Sequence, residues 1–207
     1  MAGVLYIQAS PMGDLSFSNR MTQAFLQAYK GLHPGDVIEK LDLWDAGLPH
    51  FDFTAASGKY KVMRGLSHSE AEARAWRKVV EQVDRLKAAD KVLVSSGMWN
   101  FSLPYRLKQW IDVIVQPGLT FSFDPKKGYV GLITGKPIQL LLASGGEYPE
   151  GTGLAGLDFQ MPYLKTIFGF IGFTDIRALR VEGTLTPDAE GNLEKIEKAV
   201  TEAARNF

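Results

Sequence analysis

Residues 4–18 read Val4-Leu5-Tyr6-Ile7-Gln8-Ala9-Ser10-Pro11-Met12-Gly13-Asp14-Leu15-Ser16-Phe17-Ser18. The opening is a short apolar run suited to a buried strand, and a turn rich in hydroxyls follows it. A helical pattern begins at once, with Met21, Ala24, Phe25, Ala28 and Tyr29 spaced to share one face. Strand, polar turn and helix in that order make the first unit of an α/β chain. A helix start offers free N–H groups and the positive end of a dipole, so an anion is at home in such a turn. The serines add neutral donors. The turn lacks the Gly-x-Gly-x-x-Gly spacing that lets a backbone approach a pyrophosphate, and it lacks the Gly-Lys-Ser/Thr end of a nucleoside triphosphate loop. A phosphate monoester suits it better, with flavin mononucleotide (FMN) the leading candidate. The competing reading is that Ser16 or Ser18 only caps the helix.

The same alternation continues along the chain. Apolar runs place strands at about 3–9, 36–43, 91–96, 137–143 and 175–181. Helical periods fall at about 17–31, 68–88, 103–115, 159–171 and 188–205, with Pro104 expected in the first turn of the third, where its missing N–H costs nothing. Residues 44–67 show no clear strand; a segment of that length is usually functional or carries a short helix of its own. Residues 119–135 read as a hairpin-like excursion. Near-continuous apolar strands separated by helices imply a parallel sheet covered on both faces. The expectation is one domain over 1–207, a doubly wound five-stranded parallel sheet of flavodoxin type, order 2-1-3-4-5. Ligands of such a sheet sit at the carboxyl ends of strands one, three and four.

Composition narrows the function. The 207 residues are 45% hydrophobic and carry formal net charge +0, which suits one compact core and argues against a nucleic-acid partner, since phosphate backbones need a basic face. There is no Cys, so thiolate metal sites and cysteine nucleophiles are excluded. Met1-Ala2-Gly3 lead straight into a strand with no leader pattern, and no stretch approaches the roughly 20 apolar residues of a membrane span. A cytoplasmic protein with no membrane partner is expected.

The carboxyl ends of the three chosen strands carry unusual residues. After strand one comes the serine turn. After strand three comes Gly97-Met98-Trp99-Asn100-Phe101-Ser102-Leu103-Pro104. Met98, Trp99 and Phe101 offer soft, flat apolar surface, and Asn100 has a donor and an acceptor for the edge of a heteroaromatic ring. After strand four comes Ala143-Ser144-Gly145-Gly146, a turn that lets backbone approach a ligand. Taken singly, each loop is also consistent with ordinary core aromatics and turn glycines.

Here the chain resembles a known family. Met98-Trp99-Asn100-Phe101, Pro104, Leu107-Lys108 and Asp112 are similar to the signature M-Y-N-F-x-x-P-x-x-L-K-x-x-x-D of the FMN-dependent NADH-azoreductases, flavodoxin-like NAD(P)H:quinone oxidoreductases. Gly118-Leu119-Thr120-Phe121, Gly135-Lys136, Phe168-Gly169-Phe170-Ile171-Gly172 and the opening Ser10 and Ser16-Phe17-Ser18 also resemble that family, in the same order over nearly the whole chain. The resemblance implies that Ser10, Ser16, Phe17 and Ser18 hold the phosphate and ribityl end of FMN. It implies that Met98, Trp99, Asn100 and Phe101 line the isoalloxazine ring, and that Ala143, Ser144, Gly145 and Gly146 meet its pyrimidine edge. It implies a homodimer with shared active sites, in which Phe123, Phe170 and the aromatics of 51–60 wall a substrate slot. The chain departs from the family pattern at Gly97, where Pro is usual, at Trp99, where Tyr is usual, and at Ser144, often larger; ring stacking and acceptor choice are the properties these changes touch.

The chemistry expected of such a site belongs to the flavin. NADH or NADPH gives up a hydride, then a flat quinone or azo acceptor takes two electrons in the same slot, a ping-pong sequence; azo-bond cleavage to aromatic amines takes two such rounds. No side chain is assigned as catalytic acid or base. His33 and His68 read as surface residues, and His50 lies in the long segment with a route to the slot. Asp42 and Asp45 read as solvated, and Lys126-Lys127 as an exposed turn. No His, Asp or Glu set has metal-ligand spacing, and no Gly-x-Ser-x-Gly elbow supports a hydrolase. The alternatives are a flavodoxin-like electron carrier without its own substrate pocket, a flavin or chromate reductase of the same fold, and a flavin-sensing regulator. Carriers are usually shorter and acidic; this chain is neutral and has the additional aromatic segments 44–67 and 117–135.

Overall fold

The computed structural model describes residues 1–207. Five parallel strands form the sheet: β1 (Gly3–Gln8), β2 (Val37–Asp42), β3 (Lys91–Gly97), β6 (Pro137–Ala143) and β7 (Asp175–Val181), in the order β2-β1-β3-β6-β7. Between β3 and β6 a separate antiparallel hairpin, β4 (Phe121–Asp124) and β5 (Gly128–Gly131), takes the place expected for the excursion. Leaving the hairpin aside, the sheet order is the one expected from the sequence.

Six helices accompany the sheet: α1 (Phe17–Leu32), α2 (Phe53–Met63), α3 (Glu70–Ala88), α4 (Tyr105–Ile114), α5 (Met161–Ile171) and α6 (Ala189–Arg205). The sixth, α2, lies in the segment without strands, and α3 begins two residues later than expected. Local chemistry sets that start. Ser69 accepts from the Glu72 amide at 3.3 Å, and the Glu72 carboxylate accepts from the Ser69 amide at 2.7 Å, closing a capping box. Pro104 stands at the N-cap of α4, one position before its expected place. A Pro there still leaves no helical bond unmade.

Alternation along each strand divides the core in two. Leu5 and Ile7 of β1 join Val92, Val94, Ile138 and Leu140 with Val83, Leu107, Ile111 and Phe168 from α3, α4 and α5. Val4 and Tyr6 point the other way, to Leu93, Leu141, Met21, Phe25, Tyr29 and Val200 from α1 and α6. Fully burying one such aliphatic side chain is worth about 1.5–3 kcal/mol. The β strands are thereby fixed in register, and the loops at their carboxyl ends are carried on a rigid floor.

The hairpin is tied down by backbone as well as by the packing of Phe121 and Tyr129 on Phe170. The Ile133 amide donates to the Ile171 carbonyl at 2.8 Å. Gly172, with φ +118°, ends α5 directly against Gly131, and a Cβ on Gly131 would overlap the backbone of Ile171 and Gly172.

Candidate functional site

The three loops singled out by the sequence lie at the carboxyl ends of β1, β3 and β6, which are neighbours in the sheet. Backbone bonds hold them together. The Ala9 amide donates to Ser95 at 3.0 Å, and the Met98 amide donates to Ala143 at 2.7 Å.

In the first loop a single 3-10 turn, Gly13–Leu15, brings Ser16 to the N-cap of α1. Ser10, Ser16 and Ser18 are all buried, and the Ser16 and Ser18 hydroxyls lie 3.0 Å apart. Ser16 Oγ also accepts from the Asn19 amide at 3.4 Å, so the capping role is real. It leaves the first amides of the helix without acceptors, as every helix start does. Asn19 ties the turn to the sheet: its side chain donates to the Gly13 carbonyl at 3.0 Å and accepts from the Ser95 hydroxyl at 3.2 Å. The Tyr6 hydroxyl lies 3.0 Å from the same serine, and burial pushes its pKa up, keeping it a neutral hydrogen-bonding group. The nearest cation along α1, Arg20, sits over the Phe17 ring at 5.1 Å and is paired with Glu190. A phosphate here would be met by amides, hydroxyls and the helix dipole.

The second loop is strained. Asn100 and Phe101 have φ +47° and +65°, two consecutive left-handed residues that are not glycine. Such residues cost of order 1–2 kcal/mol each, less for Asn, and persist only where neighbours enforce them. The enforcing bonds are mutual: the Trp99 amide donates to Ser102 at 3.0 Å, and the Ser102 amide donates back at 2.9 Å. The Phe159 amide donates to the Phe101 carbonyl at 2.9 Å. Asn100 and Phe101 are thereby presented to solvent. Trp99 is 38% exposed; its ring lies 5.7 Å from Trp44, tilted, and 6.3 Å from Tyr105, edge-on, forming an aromatic cluster at the loop's flank. Nothing surrounds the position a Gly97 Cβ would take, so open space adjoins the loop.

In the third loop the Ser144 hydroxyl donates to the Gly146 carbonyl at 2.9 Å and is buried, so it shapes the turn instead of facing outward. Neither Gly145 nor Gly146 has positive φ, and an added Cβ on Gly145 would meet only the flexible end of Leu185. The carbonyls of Ser144, Gly145 and Gly146 are taken by the amides of Thr184, Leu185 and Gly183, so the free edge of the turn is the Gly145 and Gly146 amides. Ala143 lies in the strand beneath and is buried.

Phe123 and Phe170 come together elsewhere, through Tyr129, whose ring is 5.3 Å from the first and 5.5 Å from the second. They belong to the hairpin and α5, and none of the three loops contacts their rings in this cluster. Asp42 corrects the expectation of a solvated group. It accepts from Gln8 Nε2 at 2.5 Å and from the Trp44 amide at 3.1 Å, which fixes the end of β2. Trp44, Tyr105, Asn19 and Phe159 were not singled out by sequence. Trp44 donates its indole N–H to the Ala9 carbonyl at 2.9 Å, joining the serine turn to the aromatic cluster.

Two sizeable concavities lie away from the loops. One of about 620 Å³ runs beside His50, Arg74, Lys78 and Arg106; another of about 420 Å³ follows Phe53 and Tyr60 on α2 and Leu66 just beyond it. The three-loop site itself is an open ledge on this chain. Neutral donors at a helix start, the free amides of Gly145 and Gly146 and an Asn beside soft aromatic surface fit a flavin monophosphate at its two chemically different ends.

The fold and this ledge define a protein of the flavodoxin-like class, and the family described by that fold matches residues 2–205. A protein of Nitratidesulfovibrio vulgaris named FMN-dependent NADH:quinone oxidoreductase is 48% identical over 99% of this chain and 98% of its own length. A protein of the same name from Desulfotalea psychrophila is 48% identical over 91% of this chain and 89% of its own. The crystal structure of an FMN-dependent NADH-azoreductase from Bacillus anthracis, in complex with FMN, superposes with TM-score 0.92 at 30% identity, covering 100% of this chain and 99% of that one. The chain belongs to the family of FMN-dependent NADH:quinone oxidoreductases and azoreductases.

Proposed function

We propose that residues 1–207 form a single doubly wound domain that binds FMN on the three-loop ledge and reduces quinones and azo compounds with NADH or NADPH as donor. The carrying observation is the meeting of the serine turn, the Met98–Phe101 loop and the Ala143–Gly146 turn at adjacent strand ends. The relatives' names, FMN-dependent NADH:quinone oxidoreductase and FMN-dependent NADH-azoreductase, support the same cofactor, donor and acceptor class. Packing of α1 and α6 against one set of strand residues and α3, α4 and α5 against the alternate set supports the doubly wound arrangement.

Ser10, Ser16, Phe17 and Ser18 are assigned to the phosphate and ribityl end. Hydroxyls and amides there bind a dianion without a buried counter-charge, and the helix dipole adds to the attraction. Met98, Trp99, Asn100 and Phe101 are assigned to the ring. The exposed Phe101 supplies flat surface, Asn100 an amide for the ring edge, and Trp99 backs the loop through Trp44. Ala143, Ser144, Gly145 and Gly146 are assigned to the pyrimidine edge, with Ser144 acting through the turn it holds. When bound, FMN supplies the redox chemistry, taking a hydride equivalent from the nicotinamide and passing two electrons to the acceptor. The chain orients donor and acceptor against one ring face in turn, which makes the kinetics ping-pong, and it excludes water as the slot fills. No side chain is assigned a proton transfer.

Phe123 and Phe170 are assigned to the substrate slot of a homodimer, in which a second copy covers the ledge. Exposed Phe53, Tyr60, Phe123, Tyr129 and Phe159 support that covering. Neutral charge and the absence of cysteine support a cytoplasmic protein without nucleic-acid or membrane partners; no helix is long and apolar enough to cross a membrane.

The test is an anaerobic mixture of FMN-loaded protein with NADH, followed at the visible flavin band and then chased with a benzoquinone. Bleaching in one step and recovery on quinone addition are expected. A bound flavin that neither NADH nor NADPH bleaches would point to a carrier, and failure to bind FMN would overturn the assignment of all three loops.

A further inference from the structure

Arg180 and Asp158 form an ion pair at 2.5 Å in which the side chains are only 9% and 10% exposed. Charge so far from water is costly, and the cost is visible: Arg180 Nε is buried without a partner. The pair stands at the carboxyl end of β7, where the Ser144 amide of the third loop donates to Val181, and Asp158 is one residue from Phe159, which bonds the second loop. Its links run to both. Arg180 also reaches Glu182 at 2.7 Å, Glu182 accepts from the Tyr148 amide at 3.3 Å, and the guanidinium lies over the Tyr148 ring at 5.5 Å. Asp158 accepts from the Gln160 and Met161 amides at 2.9 and 3.1 Å, which fixes the entry to α5.

Between those anchored ends lies Phe159, whose amide holds the Phe101 carbonyl at 2.9 Å. The neighbouring Gln160 side chain donates to the Ser96 carbonyl at 3.4 Å. The segment 158–160 is therefore a clamp on the two ends of the strained Met98–Phe101 loop. Left-handed Phe101 needs such a clamp, because an aromatic residue gains nothing locally from that conformation.

We infer that Arg180 and Asp158 are positioning residues for flavin binding: the buried ion pair holds the Phe159 amide in place, and that amide holds Asn100 and Phe101 in the strained geometry that receives the isoalloxazine ring. The inference rests on the FMN reading of the ledge. It predicts a defect located at the ring and not at the phosphate. Asp158→Asn keeps an acceptor for the Gln160 and Met161 amides while removing the charge that Arg180 holds.

The experiment titrates flavin-free wild type, Asp158→Asn and Arg180→Lys with FMN and with riboflavin, which lacks the phosphate, and records visible circular dichroism of the bound ring and the thermal midpoint of each flavin-free chain. Asp158→Asn is expected to weaken both flavins about tenfold, to alter the ring dichroism, and to shift the midpoint little. Arg180→Lys, which keeps one ion pair, is expected to fall between. If Asp158→Asn fails to fold, the joint replacement Asp158→Leu with Arg180→Met, an apolar pair in place of the ionic one, carries the same expectation. Unchanged affinity and dichroism in variants of a wild type that binds FMN would overturn the inference alone. A loss for FMN with riboflavin unaffected would place the defect at the phosphate end and overturn it too. A wild type that binds neither flavin would overturn the FMN reading and this inference with it.

Discussion

Asn100 carries two properties that a substitution can separate. Its amide is exposed toward the ledge, and its backbone sits at φ +47°. Asn tolerates that region better than most residues, and Gly tolerates it without cost. Asn100→Ala is expected to raise the FMN dissociation constant about tenfold, which corresponds to about 1.4 kcal/mol, the upper part of the range for one lost hydrogen bond. Asn100→Gly, free of strain but also without the amide, is expected to bind FMN as weakly as Ala. Recovery of wild-type affinity in the Gly variant, measured by flavin fluorescence, would assign the role to backbone shape. Legibility differs in the same way between residues. Ser16 was readable as a cap because a hydroxyl before a helix has few meanings, whereas Ser18 falls inside the first turn. Asp42 was not readable, because its acceptor role depends on Gln8 from a neighbouring strand and on the Trp44 amide beyond it. Trp44 and Phe159 were likewise hidden, since what matters is an indole N–H and a backbone N–H brought in by the fold.

At the scale of elements, α2 and α3 meet through Glu72. Its carboxylate accepts from Lys61 at 2.8 Å, from the Ser57 hydroxyl at 2.6 Å and from the Ser69 amide. Lys61 and these hydrogen bonds hold its pKa down at about 2. A carboxyl depressed in the folded state adds stability that is fully present above its ordinary value near 4.5 and is lost as pH falls toward about 2. Thermal melts of wild type between those pH values are expected to steepen their decline relative to Glu72→Gln, which lacks this titration. Parallel slopes in the two proteins would remove Glu72 from the acid limb. The elements themselves were largely legible, because buried parallel strands read as continuous apolar runs. The exception is instructive. α2 has Phe53 and Tyr60 exposed and only Ala55 and Gly58 buried, so it shows no apolar stripe to reveal its period. Gly58 is where the backbone of α3 comes close: an added Cβ would stand 2.9 Å from the Glu72 carbonyl oxygen. Proximity, not hydrophobic patterning, joins the pair.

For the whole molecule, an open ledge flanked by exposed aromatics calls for a cover. Sedimentation of the FMN-loaded protein is expected to give twice the 22.9 kDa of the chain. A monomer at micromolar concentration with full quinone turnover would show that one copy completes the site. Fold order was legible at this scale because strand–helix alternation leaves few topologies open. The site's openness was not, because sequence pattern does not report which surfaces remain uncovered. The junction of Gly131 with Gly172 sets which changes the hairpin can absorb. There the main chains touch with nothing between them, so the seam tolerates no added atom, while the arm beyond it, residues 122–130, is held by that seam, by its own ladder and by Tyr129 on Phe170. An atom added at the seam therefore has to push one main chain off the other and unseat the whole arm, whereas Phe123, exposed at the arm's tip, can be exchanged with that junction left intact.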